Sequence, residues 1–123
     1  MEILSPSSLH VSFVSHEDYL EALITGLASP DGAQAVLAQA GAEATRSKST
    51  RVLLNCLDIL GQTAPYDHHL LGVTLARHLR GVRCALVTSP AKIRGVMGRA
   101  AKAEGAEYQA FSDLGQAVLW LRS

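Results

Sequence analysis

The stretch RVLLNCLDILGQTAPYDHHLLGVTLARHLRGVRCALVTS, Arg51–Ser89, decides the fold. Its first nine residues, RVLLNCLDI, form a nearly continuous apolar run, the pattern of a central strand covered on both faces. APYDHHLLGVTLARHLRG follows, with Leu71, Leu75 and Leu79 recurring at i, i+4 and i+8. That period predicts a helix from Pro65 to Arg80, stopped by Gly81. VRCALVTS then reads as a second short buried strand. Strand, helix and strand in this order predict a right-handed parallel crossover.

The pattern continues on both sides. Ser89 and Pro90 have the form of a cap and a first helical residue, and predict a helix over AKIRGVMGRAAKAEG, Ala91–Gly105. EYQAF, Glu107–Phe111, is a last strand, and SDLGQAVLWLRS a final helix starting at Ser112. Upstream, Leu9, Val11 and Phe13 alternate with His10, Ser12 and Val14 in LHVSFVS. After a short polar segment comes LEALITGLA, Leu20–Ala28, so the two runs read as a hairpin. A helix over Glu17–Ala28 competes, and Ile24, Thr25 and Gly26 favour the strand. Glu2–Ser5 is expected to add a short strand. Ser29 and Pro30 open a helix that the polar tail Thr45–Thr50 ends. The expected fold is α/β: an N-terminal β-hairpin plus β-α-β-α-β-α, a mixed four- to five-stranded sheet with flanking helices. With no repeat, low-complexity tract or linker, residues 1–123 are read as one domain.

Composition excludes several classes. The chain is 48% hydrophobic and 18% charged, which is ordinary for a packed domain and unlike a disordered one. No apolar run reaches the ~18 residues of a membrane span, and MEILSPSSLH lacks the basic start of a secretory signal, so a cytoplasmic location is expected. Residues 1–45 hold six acids and no Lys or Arg, while 11 basic residues and five acids follow, giving halves of −6 and +6. Two halves of one domain can fold against each other, and a neutral whole with six aromatic residues does not suit nucleic-acid binding. Cys56 and Cys84 lie inside apolar runs and are read as buried small hydrophobes.

Metal and catalytic motifs are weak. Zinc sites take three or four ligands at compact spacing. His68 and His69 are adjacent and point ~100° apart on a helix, whereas His69 and His78, nine apart, fall on opposite faces. No metal site and no cofactor are expected. Cys56 or Thr63 with His68 or His69, oriented by Asp58 or Asp67, would make a nucleophile and base, but no nucleophile elbow, phosphate-binding loop or dinucleotide fingerprint accompanies them. Gly95 and Gly98 sit inside a predicted helix. Close helix–sheet packing is their expected role, offsetting an intrinsic cost of about 1 kcal/mol each.

The crevice outside the strand carboxyl ends is the better candidate. Gln62, Thr63 and Tyr66, beside Asp58, offer neutral donors after one strand. Ser89, Lys92 and Arg94 add donors and charge after the next. Helix N-termini there favour anions. The competing reading makes Thr63 and Ser89 helix caps, Asp67 a dipole partner, and the cations solvated.

RVLLNCLDILG followed by a helix, then VRCALVTSP, then AKAEGAEYQAFSDLGQAVLWL resembles the SpoIIAA-like branch of the STAS fold, that of anti-sigma-factor antagonists. The resemblance spans about residues 9–121, and its closing signature runs from Phe111 to Leu121, with Ala117, Trp120 and Leu121 in the matching places. It implies a non-enzymatic regulatory or binding module, with a protein partner or small ligand near the carboxyl ends of the central strands. Self-association as a homodimer and a partner contact through the Pro65–Arg80 helix are compatible with it, with Leu70 and Gly72 either letting the partner approach or facing the core. Antagonists carry a phosphorylatable serine after the central strand, but no serine lies between Arg51 and Val87, which leaves Thr63 as the nearest hydroxyl. An apolar-ligand carrier, with a lipid-like molecule between helix and sheet, is the alternative, and an enzyme the third.

Overall fold

The computed structural model describes residues 9–64 and 66–123. The expected Glu2–Ser5 strand and the residue Pro65 lie outside the described residues. The chain order is β1 (Leu9–Ser15), β2 (Leu20–Leu27), α1 (Pro30–Ser47), β3 (Arg51–Leu60), α2 (Asp67–His78), β4 (Arg83–Val87), α3 (Gly95–Ala103), β5 (Glu107–Phe111) and α4 (Leu114–Arg122). One sheet holds the strands in chain order, β1-β2-β3-β4-β5. The β1–β2 hairpin is antiparallel, with Val11 opposite Ile24, and every later pair is parallel.

That order decides where the helices go. A sheet that always grows in one direction through right-handed crossovers carries all its connecting helices on one face. Accordingly α1, α2 and α3 pack side by side against one face. The main core lies there, where Leu20, Ala22, Val52 and Leu54 meet Leu37, Ala40, Leu75 and Leu79. Helix α4 returns to the opposite face, where Ala117 and Leu121 cover Leu53, Ala85 and Val87. Val52, Leu53 and Leu54 are therefore all buried, as the continuous apolar run predicts. Phe111 and Trp120, tilted at 5.8 Å, seal this second core, and the Arg83 guanidinium lies 4.2 Å over the indole. Arg122 Nε reaches Asp18 Oδ2 at 2.8 Å, joining the basic half to the acidic half.

Local signals place the ends. Ser29 Oγ accepts from Gly32 N at 3.0 Å, with Pro30 in the first turn of α1. Gly81, at φ 76°, ends the turn after α2. The cap of α4 is Asp113, which accepts from Gln116 N at 2.8 Å, so that helix starts two residues later than expected at Ser112. The expected Ala91–Gly105 helix is broken. A short 3-10 turn, Pro90–Lys92, is followed by extended Ile93 and Arg94 before α3. Ser89 makes no side-chain cap bond. Two β-branched residues, Ile93 and Val96, and two interior glycines, Gly95 and Gly98, give helix formation little intrinsic support here, and tertiary contacts decide its course.

Two glycines set the helix spacing. A Cβ on Gly41 would stand 2.4 Å from the His78 carbonyl oxygen, and one on Gly72 2.4 Å from that of Met97. Gly72 thus faces α3 and is no open surface for a partner. A Cβ on Gly98 would meet the Tyr108 ring of β5 at an ordinary 3.5 Å and one on Gly95 the Arg99 side chain, so neither is required by close packing on the sheet; the tight contacts, at Gly41 and Gly72, are between helices.

Candidate functional site

Strand β3 carries an irregularity that shapes the site. Leu23 pairs with Asn55 but Thr25 pairs with Asp58, so β3 has one residue more than β2 across this step. Strict alternation from Val52, Leu54 and Cys56 would turn Asp58 toward the helices. The bulge turns Ile59 there instead, against the main core, and leaves Asp58 exposed. Asn55 holds the bulge in place. Its Oδ1 accepts from Leu57 N at 3.2 Å, and its Nδ2 donates to Glu21 Oε2 at 3.0 Å. Glu21 Oε1 in turn lies 2.7 Å from His16 Nε2.

Between this face and the helices lies a cavity of about 150 Å³, opening at the carboxyl ends of β2 to β5. The sheet contributes Ile24, Leu54, Cys56, Leu86 and Tyr108. The helices contribute Ala33, Val36 and Leu37 from α1, His68 and Leu71 from α2, and Met97 from α3. Its mouth is formed by Gly61, Gln62 and Thr63 after β3, Thr88 at the end of β4, and Lys92, Ile93 and Arg94. The helix break puts those last residues at the mouth. Lys92 Nζ donates to the Ile59 carbonyl at 2.5 Å, joining the end of β3 to the segment after β4.

Four of the seven residues singled out from sequence, Gln62, Thr63, Lys92 and Arg94, therefore meet at one opening. Asp58, Tyr66 and Ser89 do not line it. Asp58 faces away because of the bulge, Tyr66 is 83% exposed, and Ser89 sits half-buried outside the lining. Thr63 is not a helix cap: α2 begins at Asp67, and its capping position, Tyr66, makes no side-chain bond.

Sequence reasoning weighed His68 as a metal ligand or a base and did not place it at the crevice. The adjacent histidines separate as their ~100° spacing requires, His69 outward and His68 into the cavity wall. His68 is only 9% exposed, and its Nδ1 is buried without a hydrogen-bond partner among the described residues. Such an atom costs about 1–3 kcal/mol, so an imidazole held there needs a reason. The signal was present in the sequence: His68 lies three residues before Leu71 and seven before Leu75, on the buried stripe.

The cavity walls are chemically quiet. Burial pushes the Cys56 thiol up to about 12, with the Lys92 charge pulling weakly the other way. Burial likewise raises the Tyr108 phenol in the wall, and the Cys84 thiol in the core beyond it, well above their ordinary values. None of the three supplies a neutral-pH nucleophile. Among the described residues, no three His, Cys, Asp or Glu side chains gather as metal ligands. Beside the mouth, Leu27, Leu60, Tyr66 and Leu70 are large and exposed, and Leu27 and Leu60 are paired neighbours on β2 and β3. No helix among the described residues is long and apolar enough to cross a membrane.

No protein-family model and no curated protein sequence matches the chain. Solved structures do. An anti-sigma factor antagonist from Mycobacterium paratuberculosis superposes with a TM-score of 0.68 at 12% identity, covering 98% of this chain and 100% of that one. An uncharacterised protein with a SpoIIAA-like fold from Shewanella loihica gives a TM-score of 0.57 at 15% identity, covering 98% and 99%. Likeness at such identities is a likeness of backbone, and it agrees with the strand order, the hairpin and the α4 closure described above: the chain has the SpoIIAA-like STAS fold.

Proposed function

We propose that this protein is a non-enzymatic regulatory module that takes a small ligand in the cavity at the carboxyl end of its sheet and presents the surrounding rim to a protein partner. The observation that carries the reading is the cavity: an apolar interior walled by three helices and the sheet, with a buried, unpartnered imidazole and a polar mouth. Such concave, mostly apolar sites with few polar groups are where small molecules bind. The quiet Cys56 thiol and Tyr108 phenol in its wall favour binding over chemistry. The protein-partner part rests on the exposed Leu60, Tyr66 and Leu70 beside the mouth. It rests also on the fold shared with a protein described as an anti-sigma factor antagonist.

Benzene is a neutral test of whether the cavity admits a ligand, because a cavity of about this size in another protein holds it. Methyl-resolved NMR of benzene-saturated protein should move the signals of Ile24, Leu37, Leu54 and Leu71 and leave distant methyls still. Unmoved signals refute the ligand-binding reading. Phosphorylation of Thr63 would place charge at the same mouth. Incubation with cell extract and ATP, followed by mass spectrometry, should find phosphate on the Thr63 peptide; an unmodified peptide beside a working control removes Thr63 as an acceptor.

A further inference from the structure

We infer that the cavity selects a compact carboxylate: an apolar body of about six to eight heavy atoms, with its charged end held by Lys92, Arg94 and His68. This rests on the ligand-binding reading above and names the chemical class of the ligand. Size is the first argument. A cavity of about 150 Å³ suits one small ring or a six-carbon chain. A long lipid chain or a nucleotide exceeds it.

Charge is the second argument. Among the described residues that line the cavity, Lys92, Arg94 and His68 carry the ionisable nitrogens, and no Asp or Glu joins them. Three of the other basic side chains pair with carboxylates: Arg46 with Glu43, Arg83 with Glu107 and Arg122 with Asp18. Neither cation at the mouth does so among the described residues. Lys92 donates to a neutral carbonyl and keeps two further N–H groups, and Arg94 forms no ion pair among the described residues. Lysine and arginine only donate, so the group they receive must accept, and a negative acceptor is favoured over a neutral one.

The third argument is His68, which is independent of the two cations. Its side chain lines the cavity and its Nδ1 is buried without a partner. With the proton on Nδ1, the imidazole donates to a carboxylate oxygen, which relieves the unmet bond. A carboxylate can accept from each of the three groups, and the apolar body would then fill the space between Ile24, Leu37, Leu54 and Leu71.

The test compares hexanoate with hexan-1-ol, which share a six-carbon chain and differ in charge. Titration followed by methyl-resolved NMR and calorimetry should show hexanoate moving the Leu54 and Leu71 methyls and binding at least tenfold more tightly than hexan-1-ol. Lys92→Met with Arg94→Met should remove that advantage and leave hexan-1-ol unchanged. The comparison on the parent protein stands even if the double variant does not fold. Equal binding of the two probes overturns the carboxylate while leaving the ligand-binding reading intact. Palmitate binding as tightly as hexanoate overturns the size limit. Inorganic phosphate moving the Arg94 signals while hexanoate leaves Leu54 and Leu71 still overturns the proposal in favour of a bare anion site. If neither probe nor benzene moves any cavity methyl, both readings fall together.

Discussion

Replacing Gly72 by alanine tests the tightest point of the helix layer. On an exposed helix the change would be favourable by about 1 kcal/mol, because glycine is the poorer helix former. Here the added Cβ would lie 2.4 Å from the Met97 carbonyl oxygen, 2.8 Å from Ala100 Cβ and 3.0 Å from Ala101 N. Backbone atoms and a Cβ have no rotamer through which to step aside. Ordinary contacts begin near ~3.5 Å, so α3 must retreat from α2 by about 1 Å, enough to forfeit a quarter to a half of the dispersion energy along the seam. Overpacking of this kind costs about 1–3 kcal/mol, and the lost seam adds to it. After the propensity gain, the net loss should be about 2 kcal/mol, or roughly 6–10 °C in Tm for a chain of this length. Urea unfolding reads it as a lower midpoint at constant slope. Gly98→Ala on α3 is the control, because its Cβ meets Tyr108 at 3.5 Å and should stabilise by up to about 1 kcal/mol. A Gly72→Ala protein as stable as its parent would show that α2 and α3 are not held at the spacing described here.

Asn55→Ala removes both hydrogen bonds that hold the β3 bulge, and should cost about 1–2 kcal/mol in urea unfolding while speeding amide exchange at Leu57; unchanged exchange there would place the support of the bulge elsewhere. His68→Phe replaces an unsatisfied nitrogen by a ring of similar shape, so it should raise stability by about 1 kcal/mol and weaken hexanoate binding together, and a loss of stability would mean that His68 is a packing residue with its needs already met. The Cys56 thiol ordinarily loses its proton near 9.0 but holds it to about 12 in the fold. Above pH 9 the unfolded chain therefore releases a proton that the folded chain keeps, and stability should fall by about 1.4 kcal/mol per pH unit from this thiol until about pH 12. Cys56→Ala should make the alkaline slope shallower by that amount, and an identical slope in both proteins contradicts the burial argument.

Periodicity carried most of the fold. The apolar run at Arg51, the leucine stripe at 71, 75 and 79 and the alternation at 9, 11 and 13 each report a burial geometry that repeats over many residues, and all three reappear as β3, α2 and β1. The mouth was legible in part, because it follows from where strands end and helices begin, and Gln62, Thr63, Lys92 and Arg94 converge there. What escaped were single-residue events. One extra residue in β3 reverses Asp58 and Ile59, and it is supported by a hydrogen bond that the Leu57 amide donates to Asn55 Oδ1, which no composition rule announces. The break before Gly95 is settled by contacts among distant segments, Lys92 reaching the Ile59 carbonyl among them. His68 was weighed only together with its neighbour, as a ligand or a base, whereas the stripe through Leu71 and Leu75 places it alone among apolar side chains.

The covering of the outer sheet face by α4 bears on how the chain is born. Leu53 on β3 waits for Leu121 on α4, 68 residues downstream. At ~5–20 residues per second, translation leaves an interval of about 3–14 seconds between the two. The strand order means that each new strand can add to the one before it as it leaves the ribosome. The three connecting helices can close the inner face in the same sequence. Leu53, Ala85 and Val87 have no such early shelter, and a nascent sheet with that face bare is a target for chaperones and for sticking to its neighbours. The Phe111-to-Leu121 signature, on this view, ends the most hazardous moment of the protein's synthesis.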